Sequence, residues 1–148
     1  MMLKNKVAIV TGGTRGIGFA VVKKFIENGA AVSLWGSRQE TVDQALEQLK
    51  ELYPDAKISG KYPSLKDTAQ VTAMINQVKE EFGAVDILVN NAGISQSTSF
   101  YNYQPEEFQK IVDLNVTAVF NCSQAAAKIM KEQGGGVILN TSSMVSIY

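Results

Sequence analysis

Along this chain, short continuous apolar runs alternate with longer stretches whose apolar residues recur every three to four positions. Val7–Thr11 is an apolar run closed by Gly12 and Gly13, and reads as a first strand. Residues 16–28 read as a helix, with Ile17, Val21 and Phe25 one turn apart and Gly29 as the stop. Ala31–Trp35 is a second strand, ended by Gly36. Residues 37–52 form a second helix. Ser37 and Glu40 are spaced as a capping box, and Val42, Ala45, Leu46 and Leu49 make one stripe. Tyr53, Pro54 and Asp55 mark a turn, and residues 57–61 a weak third strand. Ser64 and Asp67 have the spacing to cap a third helix carrying Val71, Met74, Ile75 and Val78, stopped at Gly83. Residues 85–90 are a strongly apolar fourth strand and residues 92–103 a polar loop. Pro105 suits the first turn of a long helix reaching about Lys131. Glycines 134–136 end that helix, and residues 137–141 form a fifth strand.

Strands separated by helices of this length require right-handed crossovers and a parallel sheet covered on both faces. The fold class is therefore α/β, a Rossmann-type doubly wound parallel sheet of about five strands in one domain spanning residues 1–148. Residues 142–148 follow a strand and lead into no helix, so the sheet is expected to be unfinished on its C-terminal side.

Composition narrows the function classes. The 148 residues are 45% hydrophobic and 19% charged, an ordinary globular mixture. Fourteen basic residues balance fourteen acidic ones, which gives no electrostatic argument for nucleic acid or an anionic membrane. With no histidine, a Ser-His-Asp triad and histidine metal sites are excluded within the chain, and the single Cys122 permits no intrachain disulfide. No apolar run approaches the ~18 residues of a membrane span, and no charged leader precedes an apolar segment. A cytoplasmic protein is expected.

The sharpest local signal is Thr11-Gly12-Gly13-Thr14-Arg15-Gly16-Ile17-Gly18, set between a strand and a helix. Gly12 allows a tight exit from the strand. Gly16 and Gly18 let backbone approach a diphosphate and let the helix pack close to the sheet. The helix N-terminus supplies free N–H groups and partial positive charge for the anion. The bland alternative is a glycine-rich turn without a ligand. About 20 residues past such a loop, an acid would bind ribose hydroxyls and repel a 2′-phosphate. Here Ser37 and Arg38 stand there, with Arg15 in the loop, so two guanidinium groups are available to bracket a phosphate. This favours NADP over NAD, with NAD still possible. Alternatively, Ser37 is only a cap and Arg38 a solvated first-turn residue.

The spacing T-G-x-x-x-G-x-G resembles the cofactor motif of the short-chain dehydrogenases/reductases. Asn90-Asn91-Ala92-Gly93 after the fourth strand, Asn115 in the long helix and Ser142-Ser143 after the fifth strand resemble the family's other motifs, in family order. Within the family the sequence is similar to 3-oxoacyl carrier-protein reductases, and through residues 11–19, 25–30 and 48–54 it resembles bacterial bile-acid 3-hydroxysteroid dehydrogenases more closely still.

The resemblance implies an oxidoreductase acting on a small carbonyl or alcohol substrate, with a homo-oligomer for the complete protein. It implies a cofactor site of Gly12, Thr14, Arg15, Gly16, Ile17, Gly18, Ser37, Arg38, Ser64, Leu65, Asn91, Ala92, Gly93 and Thr141. Ser64 takes the place of the family's adenine-binding acid, or serves only as a helix cap. Asn91, Ala92 and Gly93 would line the adenosine-ribose side. Ser143, with Ser142 as fallback, would hold the substrate oxygen, and Asn115 would support a water-linked proton path or simply satisfy local backbone. The family's catalytic pair is Tyr-x-x-x-Lys, and the chain is expected to lack it. Tyr148 comes only five residues after Ser143, too soon for that tyrosine, and Tyr53, Tyr62, Tyr101 and Tyr103 lie in turns or loops. Two readings follow: a ketone reductase or alcohol dehydrogenase of which this is the front part, or a dinucleotide-binding module without turnover.

Overall fold

The structure, a computed structural model, describes residues 1–144. Its elements run β1 (Val7–Thr11), α1 (Gly16–Glu27), β2 (Ala31–Trp35), α2 (Gln39–Leu52), β3 (Ile58–Lys61), α3 (Thr68–Phe82) and β4 (Ile87–Asn90), then α4 (Pro105–Val112), a π-helical turn (Asp113–Thr117), α5 (Ala118–Gln133) and β5 (Val137–Asn140). All strands are parallel, in the order β3-β2-β1-β4-β5. The chain winds outward from β1 to β3, then restarts on the other side of β1 with β4. That reversal opens a crevice at the carboxyl ends of β1 and β4, where open α/β sheets bind ligands.

Alternation along the strands divides the core between two layers. Ile9 and Leu88 point to the face covered by Val71, Ile75 and Val78 of α3 and by Cys122, Ala126 and Met130 of α5. Ala8, Val10, Val32 and Leu34 point to the face covered by Val22 of α1 and by Val42, Ala45 and Leu49 of α2. The expected stripe of α2 is thus the buried one. In α3, Val71, Ile75 and Val78 are buried and Met74 is half-buried.

Local details depart from the sequence expectation where tertiary contacts compete. The face of α1 against the sheet is Gly18, Val22 and Ile26, one position on from Ile17, Val21 and Phe25, and Ile17 is exposed. The close approach of Gly18 to the end of β1 sets this rotation, because only a residue without Cβ fits there. Ser37 does not cap α2. Arg38 is the N-cap, without a side-chain cap, and Thr41 Oγ1 donates to the Arg38 carbonyl at 3.0 Å. In α3 the cap is Asp67, whose carboxylate accepts from Gln70 N at 3.0 Å. Ser64 lies in the preceding turn, its carbonyl accepting from Asp67 N. The expected single long helix is divided by the π turn at Asp113–Thr117, one inserted residue's worth of slack in the ladder. The strands at 57, 85 and 141 are each shorter than expected, beginning at Ile58 and Ile87 and ending at Asn140.

Candidate functional site

The exit of β1 is held by a single hydroxyl. Thr11 is buried at the end of the strand, and its Oγ1 accepts from the backbone N–H of both Asn91 and Ala92 at 3.0 Å. Asn91 Nδ2 in turn donates to the Gly12 carbonyl at 3.2 Å. Two loops that leave adjacent strands are therefore tied together before either reaches solvent. Asn91 spends its side chain on this seam and does not line the crevice, whereas Ala92 and Gly93 do.

Glycine is required here for different reasons. A Cβ on Gly18 would lie 2.0 Å from the Gly12 carbonyl oxygen and 2.5 Å from Asn91 Nδ2, so the start of α1 touches the β1 exit directly. A Cβ on Gly16 would meet nothing within 4 Å, yet its φ of +57° is left-handed. The first turn of α1 thus carries unpaired backbone N–H groups beside open space, which is the geometry a diphosphate needs. The glycine loop fits a dinucleotide on this ground.

The crevice itself holds about 630 Å³. One wall is Gly12, Thr14 and Arg15, with Gly36 and Ser37 from the end of β2. Trp35 contributes from within the sheet, its indole N–H donating to Ser33 Oγ at 3.1 Å. Ser64, Leu65 and Lys66 come from the turn after β3, and Ala92, Gly93 and Ile94 from the loop after β4. Lys110, Asp113 and Leu114 reach in from α4 and the π turn. Arg15, Lys66 and Lys110 outweigh Asp113, so the lining favours an anion. Arg38 and Ile17 are exposed and stand outside this lining.

Asn115 sits within the π turn, and both ends of its amide are used. Oδ1 accepts from Ile94 N and Nδ2 donates to Ile94 O, each at 2.9 Å. A Cβ on Gly93 would come 3.2 Å from the same Oδ1, so the loop passes tightly over the amide. Asn115 is exposed, not buried, and the backbone it satisfies is 21 residues away, not local. Thr141 and Ser143 follow β5 and are exposed, with Thr141 N donating to the Asn90 carbonyl at 3.1 Å.

Sequence reasoning missed two buried amides. Asn90 Nδ2 donates to Ser123 Oγ at 3.0 Å and to Asn140 Oδ1 at 2.9 Å, joining β4, β5 and α5. Asn121 Nδ2 donates to the Leu65 carbonyl at 2.9 Å. For Asn121 the available signal was a polar residue at a position that the helical period assigns to the core, and for Asn90 a polar residue closing an apolar strand run.

The expectation that the chain lacks Tyr-x-x-x-Lys needs correction, because two pairs, Tyr53 with Lys57 and Tyr62 with Lys66, have that spacing. Tyr62 and Lys66 lie in the turn between β3 and α3 and line the crevice, whereas Tyr53 and Lys57 lie between α2 and β3, on a separate cavity of about 610 Å³ at the opposite end of the sheet. There Tyr53 Oη donates to Glu27 Oε1 at 2.7 Å. This bond holds the phenol above its ordinary pKa and the carboxyl below its own. A tyrosine so held is a poorer proton donor, which is the reverse of what a catalytic lysine achieves. Tyr148 lies outside the described residues. No helix among the described residues is long and apolar enough to cross a membrane.

Comparison with known proteins agrees with this geometry. The chain is 35% identical over 146 residues to the 3-oxoacyl-acyl-carrier-protein reductase FabG of Chlamydia muridarum, covering 99% of this chain and 58% of that protein. Among solved structures it is similar to levodione reductase (TM-score 0.92, 33% identity, 99% of this chain and 57% of that one). It is equally similar to a short-chain type dehydrogenase/reductase from Mycobacterium marinum (TM-score 0.92, 35% identity, 99% and 59%). The chain thus spans between 57% and 59% of the length of these relatives. Residues 6–148 match the family model described as short chain dehydrogenase, and the chain belongs to that family of Rossmann-type oxidoreductases.

Proposed function

We propose that this chain binds a nicotinamide dinucleotide, NADP in preference to NAD, and serves an oxidoreductase that interconverts a ketone and a secondary alcohol. The observation that carries the reading is the glycine loop: the first turn of α1 is pressed against the β1 exit at Gly18 and open above Gly16. The bound cofactor would supply the hydride. The protein's share is placement. Backbone N–H groups of residues 14–18 receive the diphosphate, and Gly12, Ala92 and Gly93 give it a wall without side chains. Ser64 and Leu65 frame the adenine. Arg15 and Ser37, with Arg38 just beyond the rim, meet a 2′-phosphate, for which no acid at the end of β2 competes. Thr141 stands at the nicotinamide end with Ser143, which holds the substrate oxygen, while Asn115 fixes the Ile94 segment beside them.

The substrate class follows from family resemblance: a small carbonyl compound or alcohol, with neither nucleic acid nor a membrane as partner. A second copy of the protein is the expected partner for the exposed apolar side chains Phe108, Val116 and Phe120. Titration of the purified chain with NADPH and NADH, followed by nucleotide fluorescence, tests the reading. Saturation at micromolar NADPH and weaker NADH binding is expected; a folded sample that ignores both at millimolar concentration overturns it.

One observation favours a second reading, a dinucleotide-binding module without turnover. Of the two Tyr-x-x-x-Lys pairs in this sequence, Tyr53 and Lys57 lie at the opposite end of the sheet, and Tyr62 and Lys66 line the crevice from the turn after β3, not from beyond β5 where Ser143 stands. NADPH oxidation in the presence of a panel of ketones separates the two: binding without oxidation supports the module, and oxidation excludes it.

A further inference from the structure

Asn121 is 5% exposed in the first turn of α5, beside Cys122, Ala125 and Ala126 of the core. An unpaired amide there would be costly, and this one is fully engaged. Nδ2 donates to the Leu65 carbonyl at 2.9 Å, and Oδ1 accepts from Thr68 Oγ1 at 3.3 Å. Leu65 belongs to the connection between β3 and α3, and Thr68 is the first residue of α3. Leu65 has two roles at once: its side chain packs on the core formed by α3 and α5, and it also lines the crevice. Asn115 makes the matching contact six residues earlier on the same helical rod, on the loop after β4. One rod thus grips the two loops that form opposite sides of the crevice.

From this juxtaposition we infer that Asn121 is a positioning residue for the adenine half of the dinucleotide, acting through Ser64 and Leu65. It sets how far the Leu65 segment stands from the glycine loop, and so the width of the slot an adenine ring would enter. The inference rests on the dinucleotide reading above. It adds a residue with no place in the glycine, Asn-Asn-Ala-Gly or serine motifs.

The test uses the whole chain and three variants. Asn121→Leu removes both bonds while keeping the branched shape of the side chain. Thr68→Val removes only the hydroxyl, while Thr68→Ser restores it. ADP is the probe, since it carries the adenine half alone. Asn121→Leu is expected to weaken ADP about tenfold, the equivalent of one well-made hydrogen bond. NADPH should weaken by the same factor, because the other half of the site is untouched. Thr68→Val should fall between, and Thr68→Ser should match the parent. Amide hydrogen exchange supplies a ligand-free readout: faster exchange confined to residues 62–67, with β1 and β4 unchanged, is expected in Asn121→Leu. A purely structural amide would lower the melting temperature and leave the ADP affinity of the folded protein unchanged within twofold, and that result overturns the inference. If exchange quickens as expected but the parent chain binds neither ADP nor NADPH, the dinucleotide reading has failed, and the role assigned to Asn121 falls with it. If the parent binds and exchange at 62–67 is unaltered, the positioning role alone is wrong.

Discussion

A Cβ placed on Gly18 would stand 2.0 Å from the carbonyl oxygen of Gly12, closer than any side chain tolerates. The contact is backbone against backbone, so no rotamer can relieve it. Gly18→Ala is therefore expected to push α1 off the sheet, at a cost of about 3 kcal/mol or more, the upper part of the overpacking range. Gly16→Ala meets no protein atom and faces only its left-handed φ, worth roughly 1–2 kcal/mol. Its expected signature is a folded protein whose NADPH affinity has dropped at least about tenfold, since the new methyl occupies the diphosphate approach. Urea unfolding of both variants, paired with NADPH titration, checks the contrast.

Cofactor choice divides between two arginines. Arg15 lines the crevice and Arg38 stands outside its lining. Arg15→Glu should therefore weaken NADPH more than Arg38→Glu does. Both should narrow the NADPH to NADH ratio, Arg15→Glu by about tenfold, and raised salt should narrow it in the parent. Equal affinities for the two dinucleotides in the parent and in both variants would remove the phosphate argument.

At the π turn, Asn115→Asp keeps the acceptor for Ile94 N but turns the donor facing Ile94 O into a repelling oxygen. The site is exposed, so the loss of stability should be modest, about 1 kcal/mol. The loop after β4 should nevertheless loosen. Faster exchange of the Gly93 and Ile94 amides, with the helical amides of residues 118–130 unaffected, is the expected result.

Burial pushes the Cys122 thiol up to about 12 from an ordinary 9. The folded state therefore holds this proton while the unfolded chain releases it. The stability involved is fully present below pH 9 and is lost as pH rises from 9 towards 12, by about 1.4 kcal/mol for each unit. Comparing the parent with Cys122→Ala at pH 8 and pH 10.5 isolates this term, because the alanine variant lacks it. A thiol reagent at pH 8 should react with the protein only after denaturant is added.

Much of the fold was readable in the order of residues. Val7–Thr11 and Ala31–Trp35 end where apolar runs meet glycine, and both coincide with strands in the structure. Boundaries were lost where a side chain had a distant alternative. Ser37 and Glu40 had the spacing of a capping box, but Arg38 took the cap position and left Ser37 on the crevice wall. Ser64 looked equally like a cap, but Asp67 was better placed to reach Gln70 N. In the candidate site, Thr14, Arg15, Ser37, Ser64, Leu65, Ala92 and Gly93 converge on one crevice, as residues spread over four connections. Asn91 was recognised as a motif residue, yet its side chain belongs to the seam with Gly12.

The sequence alone determined the alternation of strand and helix, the doubly wound class and the presence of a glycine loop. These depend on periodicity and on residues that differ in backbone freedom, both local properties. Which face of α1 lies on the sheet, which amide grips which loop, and that Tyr53 and Lys57 sit at the far edge despite their spacing were decided only in three dimensions. Each depends on distances between segments far apart in the chain, and a one-dimensional pattern carries no information about those distances until the sheet order is known.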